Sequence, residues 1–535
     1  MTSIVIIASG AFVGAELSAE FGLLPPALLP VANRRLFELQ VEALEPRFDR
    51  IALTIPDSFE MTARDTTWLG NRGVEVIPVD PALDLRRSLL QAIGALELES
   101  GSLAINHGDT LIRDAALPAG DAISVNRTHQ AYRWAQYTSA DGTTIESVSD
   151  EHQPEGLGEA DVVSGFFSFS DVSDFTLSLA LTETFTGAVD RYAHRHTVAL
   201  FAPSEWLDFG HVNSYYVSRS RLTTERSFND LRIRDGLVWK SSSKSDRVEA
   251  ESHWFASVPY QVRAFAPQYL GRFSAHGAQG YRLEYLHYSS LADLFVFGRL
   301  PDYTWATIVG RCADFLRACR EASLDEVAEV SDYASMHRVK TSLRLADWAA
   351  AEGQSLEKGW RVNSRPVPGL LAIVDELATV IEAHPAPAAT IVHGDLCFSN
   401  ILFDFRSDSV RVLDPRGQDA AGRVTAWGDQ RYDAAKLLHS TNGLYDFIIA
   451  GHIESRLVGE RDLEIDTASA HASRFAGAHL EALLAELFPG QRASIRAMTT
   501  LLFLSMLPLH ADHPRRQQTL LANALRLYVE GEIDR

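Results

Sequence analysis

Lysine is scarce in this chain of 535 residues. Only five of the 49 basic residues are lysines, and none occurs before position 240. The five are Lys240, Lys244, Lys340, Lys358 and Lys436. Acidic residues outnumber basic ones, and the formal net charge is −21 at pH 7. Such a surface repels the phosphate backbone of nucleic acids and anionic lipid headgroups, which excludes both as main partners.

Cysteine is rare as well, and long apolar runs are absent. Three cysteines, Cys312, Cys319 and Cys397, are too few for a disulfide framework and match no zinc-ligand spacing. Cys312 and Cys319 lie two turns apart on a predicted helix, which favours a role in packing of the core. The low number of cysteines is typical of a reducing, cytoplasmic compartment. No apolar run is long enough for a membrane span, and the N-terminus lacks the basic residues of a signal peptide.

The first part of the chain alternates strand and helix patterns, and its apolar content, 46% over the whole chain, is ordinary for a folded protein. Strands are predicted at Ile4–Ile7, Ile51–Ile55, Val74–Val79 and Leu103–Asn106. Helices are predicted at Leu36–Leu44 and near Leu85–Leu96 from their apolar spacing. This alternation predicts a parallel sheet with helices on its faces. Ligands bind at the C-terminal strand ends of such sheets, where Ser9, Gly10, Gly108 and Asp109 fall.

The pattern changes near residue 228, after two further strands predicted at Val162–Ser170 and Thr197–Phe201. A hairpin is predicted up to Lys240, and a helix over roughly Asp246–Val258 follows it. After Pro301 the chain becomes mainly helical. We therefore predict two domains, 1–228 and 229–535, the second divided into an N-lobe (229–300) and a C-lobe (301–535).

The most specific motif in the chain is HGDLCFSNILFD, followed by a second strand that ends at an aspartate. Asp395 enters a loop from a strand end, Asn400 begins the next strand, and Asp414 ends the strand after that. A hairpin between these strands brings Asn400 and Asp414 together beside Asp395. One carboxylate to orient a hydroxyl and two oxygen ligands for Mg²⁺ form the set that phosphoryl transfer to an alcohol requires.

This motif resembles that of the aminoglycoside phosphotransferase and choline kinase family, which has an α+β, protein-kinase-like fold. The resemblance implies that Asp395 is the catalytic base, that Asn400 and Asp414 bind Mg²⁺, and that ATP is the phosphoryl donor. It also implies a hinge strand within YRLEYL, in which backbone groups of Glu284, Tyr285 and Leu286 meet the adenine of ATP.

Kinase-like folds also place a lysine on an N-lobe strand and pair it with a helix glutamate. Lys240 ends an apolar strand, and Glu251 shares the packed helix face with Val248 and Phe255, so we predict a Lys240–Glu251 pair. The scarcity of lysine favours a specific role, because lysine and arginine are not interchangeable where a compact ammonium is needed. Lys244 is the alternative to Lys240.

One feature of the kinase pattern is missing: no glycine-rich run precedes Lys240, and the hairpin turn offers only Gly236. The loop Thr223–Asn229 is the candidate to cover the phosphates. Downstream, Asp433 is expected to tie the catalytic loop to the following helix, with support from Lys436, and His393 to brace the loop. Arg416 contacts either an anionic ligand or a local carboxylate, and the sequence leaves both open.

Residues 1–225 resemble the sugar-phosphate nucleotidylyltransferase family, through VIIASG, LPPALLPV, LFELQ, NHGD and WLDFGH. The resemblance implies an α/β, Rossmann-like fold of GT-A type, a metal held by Asp109 and Asp208, and a second nucleoside triphosphate, CTP or another. The family's loop arginine and its lysine before Ala-Leu-Leu-Pro-Val are missing: Pro26 takes the lysine position, and residues 1–33 contain no Lys or Arg. The candidates to supply the missing positive charge are Arg34, Arg35, Arg86 and Arg87.

Three functions follow as hypotheses. The first is a kinase for a small hydroxyl compound (a sugar, polyol or amino alcohol) that carries a nucleotidyltransferase-like domain and acts in surface polysaccharide precursor synthesis, such as that of capsule. The second is a bifunctional enzyme that also activates the phosphorylated product with a nucleoside triphosphate. The third is a non-catalytic regulatory or assembly protein. The acceptor and the oligomeric state are not encoded in any motif.

Overall fold

The structure is a computed structural model that describes residues 3–113, 117–118, 120–130, 132–152, 159–222, 229–242, 245–275, 278–323, 333–384 and 388–533. It divides into two compact units. The N-terminal unit comprises Met1–Leu222 with Phe297–Arg299, and the C-terminal unit comprises Thr223–Val296 with Leu300–Arg535.

The N-terminal unit is built from short strands and helices that alternate along most of its length. The strands are β1 Ser3–Ala8, β2 Pro30–Val31, β3 Arg34–Arg35, β4 Arg50–Pro56, β5 Glu75–Val79, β6 Ser102–His107, β7 Thr110–Arg113, β8 Ala122–Thr128, β9 Trp134–Thr138, β10 Ser147–His152, β11 Ala160–Phe169, β12 Ala199–Phe201 and β13 Glu205–Asp208. The helices are α1 Ala15–Phe21, α2 Leu36–Leu44, α3 Ala63–Asn71, α4 Leu85–Ala95, α5 Val172–Leu181, α6 Phe185–Ala193 and α7 Val212–Arg221, with a 3₁₀ turn at Pro26–Leu28.

A seven-stranded sheet in the order β12-β8-β11-β6-β1-β4-β5 organises this unit. Strand β1 pairs in parallel with β4 and β6, and β4 pairs in parallel with β5, as the sequence pattern predicts. Strand β11 pairs antiparallel with both β6 and β8, so the sheet is mixed and the prediction of a parallel sheet is incomplete. A hairpin of β9 and β10 stands between β8 and β11 in the chain in place of the helical crossover that parallel pairing requires.

The sheet is covered on both faces, because successive residues of a strand point to opposite sides. Ile4 and Ile6 of β1 belong to one buried cluster, together with Phe169 of β11. Val5 and Ile7 of the same strand belong to a second buried cluster on the other face. The near-continuous apolar run of β1 therefore reflects a central strand buried on both sides.

The C-terminal unit has a small strand-rich part followed by a larger helical part. Its strands are β14 Asn229–Arg234, β15 Leu237–Ser242, β16 Tyr269–Ala275, β17 Ala278–Glu284, β18 Ser289–Ser290, β19 Trp360–Val362, β20 Arg365–Val367, β21 Thr390–Ile391, β22 Ile401–Asp404, β23 Ser409–Val412, β24 Trp427–Gly428, β25 Ser455–Leu457 and β26 Asp462–Ile465. Its helices are α8 Ser245–Ser257, α9 Tyr260–Arg263, α10 Leu291–Phe297, α11 Asp302–Glu321, α12 Tyr333–Glu352, α13 Leu370–Ala383, α14 Arg431–Thr441, α15 Tyr445–Ile449, α16 His471–Leu487, α17 Arg492–Met506 and α18 Pro514–Ile533, with 3₁₀ turns at Phe398–Asn400 and Leu507–His510.

A four-stranded antiparallel sheet, in the order β14-β15-β17-β16, packs against α8. In the helical part, α17 packs against α12, α13, α14 and α18 and is buried along most of its length. Cys312 and Cys319 lie buried on α11 as free thiols, in agreement with the packing role predicted for them. The predicted order of an α/β unit followed by an α+β unit is confirmed.

Within the described ranges, no helix is both long enough and apolar enough to span a membrane.

The stability of the N-terminal unit is expected to depend on an aromatic stack in its core. Phe169 is fully buried and stacks on Phe175 with ring centroids 3.7 Å apart. We expect Phe169→Ala to destabilise this unit by about 3–5 kcal/mol, because it leaves a cavity where a large side chain packed. Hydrogen exchange measured by mass spectrometry should show faster exchange across β11 and unchanged exchange in β22 of the other unit. Leu181→Ala, at a side chain that is 61% exposed, is the control, and equal effects of both variants would contradict the prediction.

Candidate active sites in the two units

The loop that carries Asp395 is held at its base by a buried carboxylate. The backbone N–H groups of His393 and Gly394 donate to Asp433 of α14 at 2.7 and 2.8 Å. Burial raises the pKa of Asp433 to about 7, and the two N–H donors act in the opposite direction, towards the charged form. Asp433 thus ties the loop to the following helix, and the N–H of Asp395 donates to Nδ1 of His393 at 3.2 Å, which is the bracing role expected of that histidine.

Asp395 itself is in contact with two polar side chains. Its Oδ1 lies 2.8 Å from Nζ of Lys436, and Nδ2 of Asn400 donates to its Oδ2 at 3.2 Å. Burial alone would raise the pKa of Asp395, but the Lys436 ammonium outweighs it and lowers the pKa to about 2. The carboxyl is 36% exposed. An ionised, accessible and oriented carboxylate is suited to hold and align an incoming hydroxyl.

Lys240 and Glu251 form the ion pair that the sequence predicts. Nζ of Lys240 lies 2.7 Å from Oε2 of Glu251, and both side chains are almost completely buried. Two further groups, missed by the sequence reasoning, complete the environment of Glu251: the Tyr281 hydroxyl donates to Oε2 at 2.7 Å, and Nε of Arg247 lies 3.0 Å from Oε1. Tyr281 stands directly opposite Lys240 in the β15–β17 register, so only the strand pairing identifies it.

Lys240 also reaches the second half of the predicted site. Its Nζ lies 2.9 Å from Oδ1 of Asp414, which follows β23 in a left-handed conformation with φ of 55°. Burial opposes the ammonium, but Asp414 and Glu251 together raise the pKa of Lys240 above its ordinary value. The lysine is therefore held as a cation between a helix carboxylate and a candidate metal ligand.

Asn400 and Asp414 are brought together by the hairpin of β22 and β23. The N–H of Leu413 donates to the Asn400 carbonyl at 2.8 Å, which places Asp414 one residue beyond that pair. The described residues contain no group of three or more His, Cys, Asp or Glu side chains arranged around a metal position. Two oxygen ligands fit Mg²⁺ nonetheless, because Mg²⁺ commonly takes one or two protein ligands and completes its shell with phosphate oxygens and water.

The hinge segment differs in detail from the expectation. The N–H of Glu284 donates to the Gln268 carbonyl, and the N–H of Tyr285 donates to the Gly236 carbonyl, at 3.0 and 2.9 Å. These two amides are thus used by the sheet and do not point to a nucleotide. The carbonyls of Glu284 and Tyr285 and the backbone groups of Leu286 stay as the predicted adenine contacts. Lys244 and residues 223–228 of the candidate phosphate loop lie outside the described residues.

The N-terminal unit contains a cleft of about 670 Å³ that is lined by Asp109 and Asp208. Asp109 follows β6, and Asp208 ends β13, which pairs with β7 so that Asp208 stands opposite Thr110. A Cβ atom at Gly210 would lie 2.6 Å from Oδ2 of Asp109 and 3.4 Å from Oδ1 of Asp208, so both carboxylates border the same point.

These two carboxylates are poorly compensated by the protein. Burial and then the charge of Asp109 raise the pKa of Asp208 to about 7. Oδ2 of Asp208 is buried and has no hydrogen-bond partner among the described residues. Two adjacent carboxylates with an unused oxygen fit a divalent cation, which prefers oxygen ligands.

Of the four arginines considered as substitute cations, the cleft contains Arg86. Arg34 pairs with Glu38 and Glu42, and Arg35 is buried against Asp65. Arg87 is 63% exposed. Arg133 also lines the cleft, but no motif surrounds it, so the sequence offered no signal for it.

Gln40 of α2 is a second residue that the sequence reasoning missed. Its Nε2 donates to the carbonyls of His107, Gly108 and Thr110 at 3.1, 3.1 and 2.8 Å. These bonds hold the turn that presents Asp109 to the cleft. The sequence predicts LFELQ as a helix and as part of the resemblance to nucleotidylyltransferases, with no role for Gln40, and the structure shows the Gln40 side chain buried against this turn.

Solved structures similar to parts of this chain are distant in sequence. A nucleoside-diphosphate-sugar pyrophosphorylase from Vibrio cholerae RC9 is 12% identical, with 40% of this chain and 99% of that chain covered at a TM-score of 0.34. The inositol-1-phosphate CTP transferase from T. maritima is 14% identical, with 42% and 96% covered at a TM-score of 0.31. A GDP complex of a mutant aminoglycoside 2'-phosphotransferase is 16% identical, with 58% and 90% covered at a TM-score of 0.36. No curated protein matches the chain.

A family model gives the more specific result. Residues 243–459 match the model described as the phosphotransferase enzyme family. The matched segment contains Glu251, Asp395, Asn400 and Asp414, and Lys240 lies just before it. The C-terminal part of the chain therefore carries a domain of the phosphotransferase enzyme family.

Proposed function

We propose that the protein is an ATP- and Mg²⁺-dependent phosphotransferase that acts on a hydroxyl group of a small molecule. The observation that carries this proposal is Lys240, whose ammonium contacts both Glu251 and Asp414 at less than 3 Å. A family match alone does not separate an active kinase from a degenerate one. The buried Lys240–Glu251 pair beside Asp414 and the ionised Asp395 supports an intact site.

In this proposal each residue has a defined task. Lys240, oriented by Glu251, binds phosphate oxygens of ATP, and the backbone of Leu286 contacts the adenine. Asn400 and Asp414 would hold Mg²⁺, which supplies neutralisation of phosphate charge when bound. Asp395 accepts a hydrogen bond from the acceptor hydroxyl and aligns it. The hydroxyl oxygen forms a bond to the γ-phosphorus, the bond to the ADP oxygen breaks, and the hydroxyl proton passes to Asp395.

The Lys240–Asp414 contact has a consequence for nucleotide binding. The lysine ammonium contacts the carboxylate that is proposed to bind Mg²⁺. Asn400 and Asp414 would hold Mg²⁺, and the Lys240 ammonium would then be available to phosphate oxygens while it stays paired with Glu251. A metal ion would compensate Asp414 in place of the lysine, so that neither buried charge would be left alone.

The remaining parts of the proposal are the domain limits, the cellular setting and the role of the N-terminal unit. We take residues 1–228 and 229–535 as the two domains, with lobes 229–300 and 301–535, in a cytoplasmic protein. The acceptor is a sugar, polyol or amino alcohol, and the product serves surface polysaccharide precursor synthesis.

A bifunctional enzyme is the second candidate, and the cleft of the N-terminal unit favours it. Asp109 and Asp208 border one point there, and Arg86 lines the same cleft. Nucleotidyl transfer builds negative charge on a phosphate, which a metal held by the two carboxylates and a fixed cation such as Arg86 would stabilise. A non-catalytic protein has no need for these arrangements.

The first test removes the charge of the proposed catalytic base. We expect Asp395→Asn to lower Mg²⁺-dependent phosphorylation of a panel of sugars, polyols and amino alcohols by roughly 10²- to 10⁴-fold, the range for loss of a general base. Asp408→Asn is the matched control, since Asp408 is an exposed turn residue with φ of 46° that asparagine tolerates. A native protein that neither binds Mg·ATP nor exceeds Asp395→Asn on any acceptor would contradict the kinase proposal.

The second test weakens the orientation of Glu251 and leaves both ions in place. Tyr281→Phe removes one hydrogen bond to Glu251, and Lys240 and Arg247 stay paired with it. We expect the KM for ATP to rise a few-fold, since a hydrogen bond to a charged group contributes about 1.5–3 kcal/mol and the two cations retain part of that. Steady-state kinetics at saturating acceptor measures this, with Tyr303→Phe, at a 76% exposed tyrosine, as control. An unchanged KM would show that Tyr281 has no positioning role.

The third test concerns the N-terminal cleft. If the unit transfers nucleotides, Arg86→Met should lower pyrophosphate release from sugar 1-phosphates and nucleoside triphosphates by roughly 10²- to 10³-fold, as loss of one fixed donor to a developing oxyanion does. Arg87→Met changes the next residue of the same helix, where the side chain is exposed, and should leave the rate unchanged. Pyrophosphate release that persists in both Arg86→Met and Asp109→Asn would exclude this cleft as the site of nucleotidyl transfer. If the native protein releases no pyrophosphate with any substrate of the panel, the kinase activity alone is favoured.

A further inference from the structure

A group of basic side chains lies beside Asp395 on the side of α12. His337, Lys340 and Arg344 follow one another on this helix at spacings of three and four residues, which places them on one face. The ring of His337 stacks on that of Tyr432 of α14, with centroids 5.7 Å apart. Lys436, one turn further along α14, contacts Asp395 at 2.8 Å. The basic face of α12 is therefore directed towards the turn of α14 that holds the proposed catalytic base.

Arg416, in the segment that follows β23, lies beside the loop that carries Asp395. Its N–H donates to the His393 carbonyl at 2.8 Å. Its Cβ lies 2.7 Å from the position that a Cβ would take at Gly394, the residue before Asp395. Arg416 also lines a small cavity of about 30 Å³ together with Gly394 and Tyr432. The side chain thus starts beside the catalytic loop, on the side that faces α12.

The pKa of Lys340 reflects this concentration of positive charge. Burial and then Arg416, Arg344 and Lys436 lower the pKa of Lys340 to about 7, against a smaller opposite effect of Asp395. Burial is the main cause that lowers the pKa values of His337 and Arg344, and Arg416 acts in the same direction on both. Nη1 of Arg344 donates to the Ser505 carbonyl at 3.0 Å. Across the described ranges, no carboxylate lies within ion-pair distance of Lys340 or Arg416.

This arrangement is unexpected in a chain with a net charge of −21. Carboxylates are abundant, yet none pairs with Lys340 or Arg416 within the described ranges. Like charges placed together and partly buried destabilise the protein, and an anion between them reverses that cost. A site that accepts a cationic amino alcohol would instead be lined by carboxylates. The positive charge beside Asp395 therefore favours an anionic acceptor over a cationic one.

We propose that Lys340, Arg344 and Arg416 bind an anionic group of the acceptor, so that the phosphorylated substrate is a small hydroxyl compound that also carries a carboxylate or a phosphate. The inference rests on the proposed phosphotransferase function and narrows its substrate class. Arginine matches the planar, two-oxygen geometry of both groups. The anion docks on the cluster while the hydroxyl reaches Asp395.

The small number of lysines permits a direct test of anion binding that needs no turnover. Reductive ¹³C-methylation of the 535-residue chain labels at most five lysines and the N-terminus. The signal of Lys340 is assigned by its loss in Lys340→Arg, and that of the exposed Lys358 by its loss in Lys358→Arg. Sodium acetate and sodium phosphate are then titrated without nucleotide, with sodium chloride at equal ionic strength as the reference.

We expect a saturable shift of the Lys340 signal and none of the Lys358 signal. A shift with acetate would identify the anionic group of the acceptor as a carboxylate. A shift with phosphate but not with acetate would identify that group as a phosphate. Arg416→Met should raise the apparent Kd roughly tenfold, as loss of one charge-assisted hydrogen bond does, whereas Arg406→Met, at an exposed turn residue, should not. No shift beyond that of chloride, or an unchanged Kd in Arg416→Met, would overturn the proposal. Because no turnover is measured, failure here is distinct from failure of the kinase proposal, which Asp395→Asn tests.

Discussion

The C-terminal unit is organised around the buried ammonium of Lys240. This group lies between the Glu251 carboxylate on α8 and the Asp414 carboxylate after β23, and each contact is shorter than 3 Å. Taking such an ion pair out of water costs several kcal/mol per charge, and apolar residues of similar volume commonly stabilise a fold as well or better. In the proposed reaction this arrangement holds the ammonium at one position, where it would bind phosphate oxygens. It also links the small sheet to the hairpin of β22 and β23.

The other parts of this site follow from the same requirement that buried charge be compensated. Glu251 takes hydrogen bonds on both oxygens, from Tyr281 and from Arg247 as well as from Lys240. Asp433 takes two backbone N–H groups and so determines the path of the catalytic loop. Asp395 is paired with Lys436, which keeps it ionised while part of it stays accessible. Each contact satisfies one buried charge and at the same time orients a group of the proposed reaction.

The N-terminal cleft and the basic cluster beside Asp395 are the opposite case, because the protein leaves their charge uncompensated. Two carboxylates border one point in the cleft, and an oxygen of Asp208 has no partner among the described residues. Lys340 and Arg416 stand beside other cations. An uncompensated group of one sign predicts a ligand of the other sign, since the bound ligand provides the compensation. The same reasoning underlies both proposals, that of a divalent cation in the cleft and that of an anionic group at the cluster.

Local order along the chain was enough to predict the strands β1, β4, β5 and β6 and the helices α2, α4 and α8. The candidate site residues came from short motifs and the families that those motifs resemble. The apolar runs of β1, β4 and β6, the HGD loop and the Lys240 strand all carry their signal within a few neighbouring residues, because periodicity and turn chemistry are local. The pairing of Lys240 with Glu251 was also predictable, because the kinase resemblance calls for a strand lysine and a helix glutamate and the helix spacing places Glu251 on the packed face. Contacts between residues far apart in sequence were not predictable in this way. The antiparallel placement of β11, the bond from Tyr281 to Glu251, the use of the Tyr285 amide by Gly236, and the position of Arg86 rather than Arg34 in the cleft depend on strand register and packing. Those are decided only when distant segments meet, because an amide, a hydroxyl or an arginine has the same local pattern whichever partner it finds.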